Sequence, residues 1–287
     1  MANFLLSAFA DEAASDIDGQ ITALNRNSIK FIEIRNVDGK NIADHDAKVI
    51  KEIANKLHSN GVGVSAIGSY IGKISITDLF APHIDAFKRT LEAANILGTK
   101  RIRIFSFFIP KNEKAENYRN EVLERIDKLV TLSEAVGIEC CHENEKEIYG
   151  DIKDRCVDLQ KSFVGRMKGI FDPANYIQCG ESPISIFDEL FKYIDYMHIK
   201  DALLVDGSVV PSGYGDSDIG GLLEKFSKAK GDSFLTIEPH LTVFDGFANL
   251  RDNSLKHKFT YSNSKESFDA AVKALKNILD ERGYKYE

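Results

Sequence analysis

Short β-forming runs alternate with amphipathic helical stretches along the whole 287-residue chain, and this alternation constrains the fold more than any other feature. The β-rich runs are Asn3–Phe9, Phe31–Arg35, Gly61–Tyr70, Arg101–Ile109, Gly137–Asn144, Met167–Asn175, Asp195–Asp201 and Ser233–His240. Between them, "DAKVIKEIANKLHSNG" sets Val49, Ile50, Ile53, Ala54 and Leu57 at helical spacing and stops at Asn60-Gly61. Similar stretches stop at Gly98 and Gly137, and the last, "SKESFDAAVKALKNILDERG", is expected to open with a capping box at Ser264 and Glu266. Strand–helix alternation implies a parallel sheet with helical crossovers. Eight such units predict one closed (β/α)8 TIM barrel rather than an open α/β sheet. No G-x-G-x-x-G follows the first strand, which counts against a dinucleotide-binding open sheet. No linker or composition break interrupts the pattern. One domain over residues 1–287 is expected, with a long loop after the eighth strand at about 241–263.

Composition narrows the partners. Asp and Glu number 44 against 37 Lys and Arg, a formal net charge of −7, so a polyanion is repelled and nucleic acid is not the expected partner. Cys140, Cys141, Cys156 and Cys179 contain no C-x-x-C pair and suit free thiols in a reducing compartment. The N-terminal "MANFLLSAFADEAAS" lacks the basic start of a signal peptide. No run approaches the ~18 apolar residues of a membrane span. A soluble, cytoplasmic protein without a membrane partner is the expectation.

In a TIM barrel the chemistry sits at the carboxyl ends of the strands, so the last residues of each run matter most. The fifth run ends in "HEN" with Glu143, the sixth in "FDPAN" with Asp172, the seventh in "HIKD" with His198 and the eighth in "EP" with Glu238. One acid at a strand end is commonly a helix cap or a salt-bridge partner. Four consecutive strands delivering one ligand each to the same rim call for a positive charge among them. Three hard oxygens and an imidazole favour one divalent cation, Mn²⁺ first, with Mg²⁺, Co²⁺ or Zn²⁺ as alternatives.

Carried by "HEN", "FDPAN", "HIKD" and "EP", the chain resembles, over essentially its full length, the sugar phosphate isomerase/epimerase superfamily, the xylose isomerase-like TIM barrels. The ketose 3-epimerases of that superfamily bind one metal through a Glu, Asp, His, Glu set in this strand order. The resemblance therefore implies Glu143, Asp172, His198 and Glu238 as metal ligands, and Glu143 and Glu238 as catalytic acid and base. It implies proton abstraction next to a carbonyl through a metal-stabilised enediolate, giving epimerisation or isomerisation of a sugar or sugar phosphate. It extends equally to inosose isomerases and dehydratases, with a cyclitol substrate. It also implies a homo-oligomer, since such proteins are often dimers or tetramers. Endonuclease IV shares the fold but needs three zinc ions and histidines from earlier strands, which "FIEIR", "VSAIGSY" and "IRIFSFF" lack. A ligand-binding barrel without catalysis is the remaining class.

Further candidates line the expected mouth. Alternation sets Glu33 and Arg35 on one side of the second strand, where Arg35 would hold a substrate hydroxyl, carboxylate or phosphate and Glu33 would orient it. A Glu–Arg network bracing the barrel is the structural alternative. Lys200, two residues after His198, would donate to a substrate oxygen or pair with a ligand carboxylate. Asn175 stands where the ketose 3-epimerases commonly carry a substrate-binding histidine, a departure from their pattern. His240 follows Pro239 near the mouth as a substrate contact, and His142 should face away from the metal. The glycines of "VVPSGYGDSDIGG" would serve either a phosphate or a turn capped by Ser217 or Asp218. Lys256, His257 and Lys258 would face solvent or an anionic substrate.

Overall fold

A computed structural model describes residues 3–241, 259 and 261–287. Eight parallel strands close on one another: β1 (Asn3–Ala8), β2 (Phe31–Ile34), β3 (Gly63–Ile67), β4 (Arg101–Ile104), β5 (Glu139–Glu143), β6 (Met167–Phe171), β7 (Ile194–Ile199) and β8 (Ser233–Ile237). Each pairs with its chain neighbour, and β8 returns to β1 in the register Phe4↔Ser233 to Ala8↔Ile237. The expected (β/α)8 barrel is thus the observed fold.

Helices α1 (Ile17–Arg26), α2 (Ala47–Ser59), α3 (Ala81–Leu97), α4 (Arg119–Glu134) and α5 (Lys153–Ser162) form the successive crossovers. Two short helices, α6 (Pro173–Gln178) and α7 (Pro183–Leu190), join β6 to β7, then α8 (Ile219–Ala229) and α9 (Ser264–Glu281) complete the ring. Each long helix buries one stripe; α2 buries Ile50, Ile53 and Leu57. At about 1.5–3 kcal/mol for each fully buried large side chain, these stripes hold the helices to the barrel. Among the described residues no helix is long and apolar enough to cross a membrane.

The strands are shorter than the apolar runs imply, because their last residues turn out of the sheet to build the mouth. Beyond β3 and β4, for example, Ile71 and Phe105 are joined by a backbone bond of 2.7 Å. There Gly72 (φ 92°) lies so close that a Cβ would meet the Phe105 carbonyl oxygen at 2.1 Å. "FDPAN" does not extend β6: Asp172 is the N-cap of α6, with Pro173 at its first turn. The cap of α9 is Asn263, not Ser264. Its side chain accepts from Glu266 N–H at 2.9 Å, and the Glu266 carboxylate reaches back to Ser262 N–H at 3.2 Å. All four cysteines are free, three of them buried.

Inside the barrel, alternate residues meet in layers. Ala66, Cys141, Ile170 and Tyr196 form an apolar plug against Phe234, closing the lumen below the mouth. Directly above it the lining turns polar.

Candidate metal centre

The same alternation that builds the plug carries a second set of side chains to the mouth. Glu143 closes β5, Asp172 follows β6, His198 lies on β7 and Glu238 follows β8. None is more than 4% exposed, and each offers a ligand atom within 4.8 Å of those of the others. The four strand endings form one buried cage.

Local hydrogen bonds fix the cage. Asp172 Oδ1 accepts from Asn175 N–H at 3.0 Å to start α6, which leaves Oδ2 for the cage. The Asn144 side chain ties β5 to β6, donating to the Asp172 carbonyl and accepting from its N–H, both at 3.0 Å. Asn175 Nδ2 donates to the Asn144 carbonyl at 2.8 Å and reaches Glu143 Oε1 at 3.4 Å. Asn175 is buried and braces two ligand segments.

His198 presents Nδ1 to the cage, 3.0 Å from Glu143 Oε1 and 3.6 Å from Glu238 Oε2. Its Nε2 lies 3.2 Å from Glu33 Oε2, and Glu33 Oε1 accepts from the Tyr196 hydroxyl at 3.1 Å. With Nε2–H directed at Glu33, Nδ1 would offer its lone pair to a cation that displaces the proton shared with Glu143. A carboxylate behind a ligand imidazole fixes its tautomer and raises its basicity. Glu33 therefore differs from its expected place beside a substrate. It is fully buried, one layer below Arg35, and its oxygens are engaged by His198 and Tyr196.

Three cations ring the cage. Arg35 holds Asp11 through two bonds of 2.8 and 3.0 Å, Glu12 at 3.1 Å and Glu238 at 3.4 Å. Arg103 reaches Glu143 at 3.1 Å and Glu238 at 3.9 Å. Lys200 stands 2.9 Å from Asp172 Oδ2 and 3.0 Å from Glu238 Oε2. His240, at a left-handed φ of 45°, donates its backbone N–H to Glu12 at 2.6 Å, and its ring lies 3.4 Å from Glu12 and 3.6 Å from Glu238.

Six buried carboxylates (Asp11, Glu12, Glu33, Glu143, Asp172 and Glu238) thus face three fixed cations. Burial pushes Glu12 up to about 8 and, with Glu238 and Glu143 nearby, Asp172 up to about 7 despite Lys200. Burial would also raise Glu143 and Glu238, but His198 and Arg103 hold Glu143 low, while Lys200, His240 and His198 hold Glu238 low. Against the effect of burial, Glu143 and Glu33 lift His198 to about 10. Burial drives His240 well below the usual histidine range.

The donor set fits a divalent cation. Glu143 Oε2 and Asp172 Oδ2 are buried oxygens that accept no hydrogen bond; Arg103 and Lys200 lie near them as charges, without hydrogen-bond geometry. Three carboxylates and one imidazole nitrogen suit Mn²⁺, Mg²⁺ or Zn²⁺. Glu12, Glu238 and His240 also bring ligand atoms within 4.8 Å of one another. That second group already holds the Arg35 guanidinium on Glu12 and Glu238, so its charge is met from within the chain.

Other sequence candidates fall elsewhere. His142 turns away from the cage, its ring 3.0 Å from Ser106 Oγ and packed on Gly150. The glycine-rich loop after β7 receives no outside anion at its N–H groups: Asp201 accepts from Gly213 and Gly215 on Oδ2 at 2.9 and 3.0 Å, and from Ser217 on Oδ1 at 3.1 Å. Asp218 caps α8 through Gly221 N–H. Lys256, His257 and Lys258 lie outside the described residues. Arg103, Asp11, Glu12 and Asn144 were not singled out from the sequence. Arg103 was legible in the alternation of "RIRIF", and Asn144 adjoins Glu143, but nothing local marks Asp11 and Glu12 as neighbours of Glu238.

Over residues 21–277 the sequence matches the family described as xylose isomerase-like TIM barrel. The chain belongs to that family. No curated protein matches it by sequence. Among solved structures, this xylose isomerase-like barrel is similar to an L-ribulose 3-epimerase (TM-score 0.75, 15% identity, 98% of this chain and 95% of that one). It is also similar to the IOLI protein with a binding zinc atom (TM-score 0.74, 14% identity, 98% and 99%). A third is the probable 3-DHS dehydratase AsbF from Bacillus anthracis (TM-score 0.73, 16% identity, 96% and 99%). At these identities the likeness is one of fold.

Proposed function

We propose that this chain is a divalent-metal-dependent isomerase or epimerase of a sugar, sugar phosphate or cyclitol, working by proton transfer next to a carbonyl. The observation that carries the reading is the buried cage, whose Glu143, Asp172, His198 and Glu238 converge within 4.8 Å. Glu143, Asp172, Glu238 and Nδ1 of His198 would hold one cation, Mn²⁺ before Mg²⁺, Co²⁺ or Zn²⁺. Such an ion supplies electrophilic polarisation of a carbonyl oxygen.

The chain's own residues do the rest. Glu143 and Glu238 come from strands separated by β6 and β7 and are both held ionised, as a general base must be. One takes the proton from the carbon beside the carbonyl, leaving an enediolate. The product is an epimer if the other carboxylate, having taken up a proton from solvent, delivers it to the opposite face of that carbon; it is an isomer if the first gives its proton to the neighbouring carbon, and exchange with solvent resets both groups. Lys200, between Asp172 and Glu238, and Arg35 beside Glu238 are placed to donate to substrate oxygens. His240 packs behind Glu238, and Asn175 steadies Glu143. Four free cysteines favour a reducing cytoplasm.

The second reading is an inosose isomerase or dehydratase, in which an expelled β-hydroxyl changes the product mass by one water. A trinuclear nuclease site finds less support, because β2 and β4 bring Glu33, Arg35 and Arg103 to the mouth where zinc-binding histidines would be needed.

The test is metal content by elemental analysis, followed by solvent-deuterium incorporation into ketoses and inososes. About one ion per chain is expected, with exchange falling ~100-fold or more in Glu143→Gln and Glu238→Gln. No bound ion, three zinc ions, or undiminished exchange in both variants refutes the reading.

A further inference from the structure

Beside the cage, between the end of β2 and the loop that follows β3, a cavity of about 440 Å³ opens to solvent. Its lining is strongly one-sided in charge. Arg35, Lys40, Lys73 and Arg103 share it with a single lining carboxylate, Asp44, which is itself engaged by Tyr70 at 3.1 Å and Arg89 at 3.4 Å, while Lys73 pairs outside the lining with Glu145 at 2.6 Å. Two guanidiniums form its inner wall. Arg35 and Arg103 lie over the same Phe9 ring, 4.5 and 4.9 Å from its centroid, and both reach toward Glu238. Lys73 and Arg103 share the Phe105 ring in the same way, at 4.3 and 5.0 Å.

Arg103 is only 5% exposed, yet its Nε–H has no hydrogen-bond partner. A buried guanidinium donor left unpaired is costly, so a partner at this wall stabilises the site. Water would satisfy the N–H but not the charge. The carboxylates that offset Arg103 are Glu143 and Glu238, and these two also belong to the cage. Arg103 therefore shares its counter-charge with the cage. A neutral polyol would accept hydrogen bonds from these donors without meeting their charge, whereas planar guanidiniums pair well with carboxylate or phosphate oxygens.

We propose that the substrate carries an anionic oxygen group, a carboxylate or a phosphate, that docks on Arg103 with Arg35 and Lys73. Its carbonyl and hydroxyl carbons then extend from that anchor into the cage. This inference rests on the cage being the catalytic centre, and it narrows the substrate from sugars in general to anionic polyhydroxy compounds.

The test is calorimetric titration of the whole, Mn²⁺-loaded chain with D-gluconate, D-glucose 6-phosphate and D-fructose at low salt. One of the two anions should bind at least ~10-fold tighter than fructose, and which one does so identifies carboxylate or phosphate. Arg103→Met should abolish that preference, and Lys73→Met, at the rim, should reduce it by roughly 3-fold. Equal binding of fructose, failure of both anions to bind, or an unchanged preference in a folded Arg103→Met overturns the proposal. If Arg103→Met does not fold, an unchanged preference in Lys73→Met overturns it instead. Metal content measured on the same samples separates the two readings. One ion per chain without anion preference sinks only this inference, whereas absence of a bound ion sinks the reading of the cage.

Discussion

Replacing Glu33 with Gln tests whether the histidine ligand is held from behind. The exchange keeps the shape and one carbonyl acceptor but removes a charge that is fully buried 3.2 Å from His198 Nε2. A hydrogen bond to a charged group contributes about 1.5–3 kcal/mol, and a neutral one about 1 kcal/mol. The net loss at the imidazole is then about 1–2 kcal/mol, or roughly 5- to 30-fold in affinity for a cation at Nδ1. Mn²⁺ affinity should be measured by competition with a chelating dye at fixed pH, beside circular dichroism to confirm the fold. Tyr196→Phe, which removes only the hydroxyl bonded to Glu33 Oε1, should weaken binding by less than Glu33→Gln. A folded Glu33→Gln protein that binds Mn²⁺ as tightly as wild type would refute the argument that this carboxylate orients and charges the ligand.

Asp201→Asn should destabilise the barrel by about 3 kcal/mol and expose 203–217 to proteolysis, because an amide nitrogen at Oδ2 would face the Gly213 and Gly215 N–H groups instead of accepting from them. A change in urea denaturation below about 0.5 kcal/mol would refute that account. The fold should also weaken in mild acid through His83, whose Nε2 accepts from Gly72 N–H at 2.7 Å and whose pKa burial lowers to about 4. A depressed histidine leaves the unfolded chain binding more protons, so this stability is fully present above about 6.5 and is lost as pH falls toward about 4. The loss from this group between about pH 8 and about pH 5 should be near 2 kcal/mol, and His83→Gln should flatten the profile by that amount in urea titrations at the two pH values.

The architecture was legible because a barrel is built from two periodicities that a sequence carries openly. Glycines after helical stretches, as at Gly98 (φ 74°), mark where a helix must stop before a strand. Alternation within "ECCHE" sorts Cys141 to the lumen and His142 to the outer wall. The ends were less legible. The apolar run "RIFSFFI" reads as one long strand, but its regular pairing stops at Ile104, and the next residues bond across the mouth to the loop after β3. Only the three-dimensional position of Gly72 against Phe105 explains the bend, and neither residue advertises it locally.

The cage and its surroundings divide along the same line. Glu143, Asp172, His198 and Glu238 announce themselves because each ends an apolar strand with a group that needs a counter-charge. Their partners do not. Glu33 and Arg35 share one face of β2, and periodicity alone assigns them a common role. Yet two residues of strand rise separate a carboxylate locked under His198 from a guanidinium facing the open cavity. Depth in the lumen, which a one-dimensional pattern does not carry, turns one into support for a ligand and the other into part of the charged wall. Arg103 makes the same point from β4. A search of that strand for metal-binding histidines passes over it, although an arginine buried in a barrel strand is as costly to bury as any ligand and equally in need of a partner. Inward-facing cations at strand ends therefore carry as much information about a barrel's substrate as inward-facing acids carry about its metal.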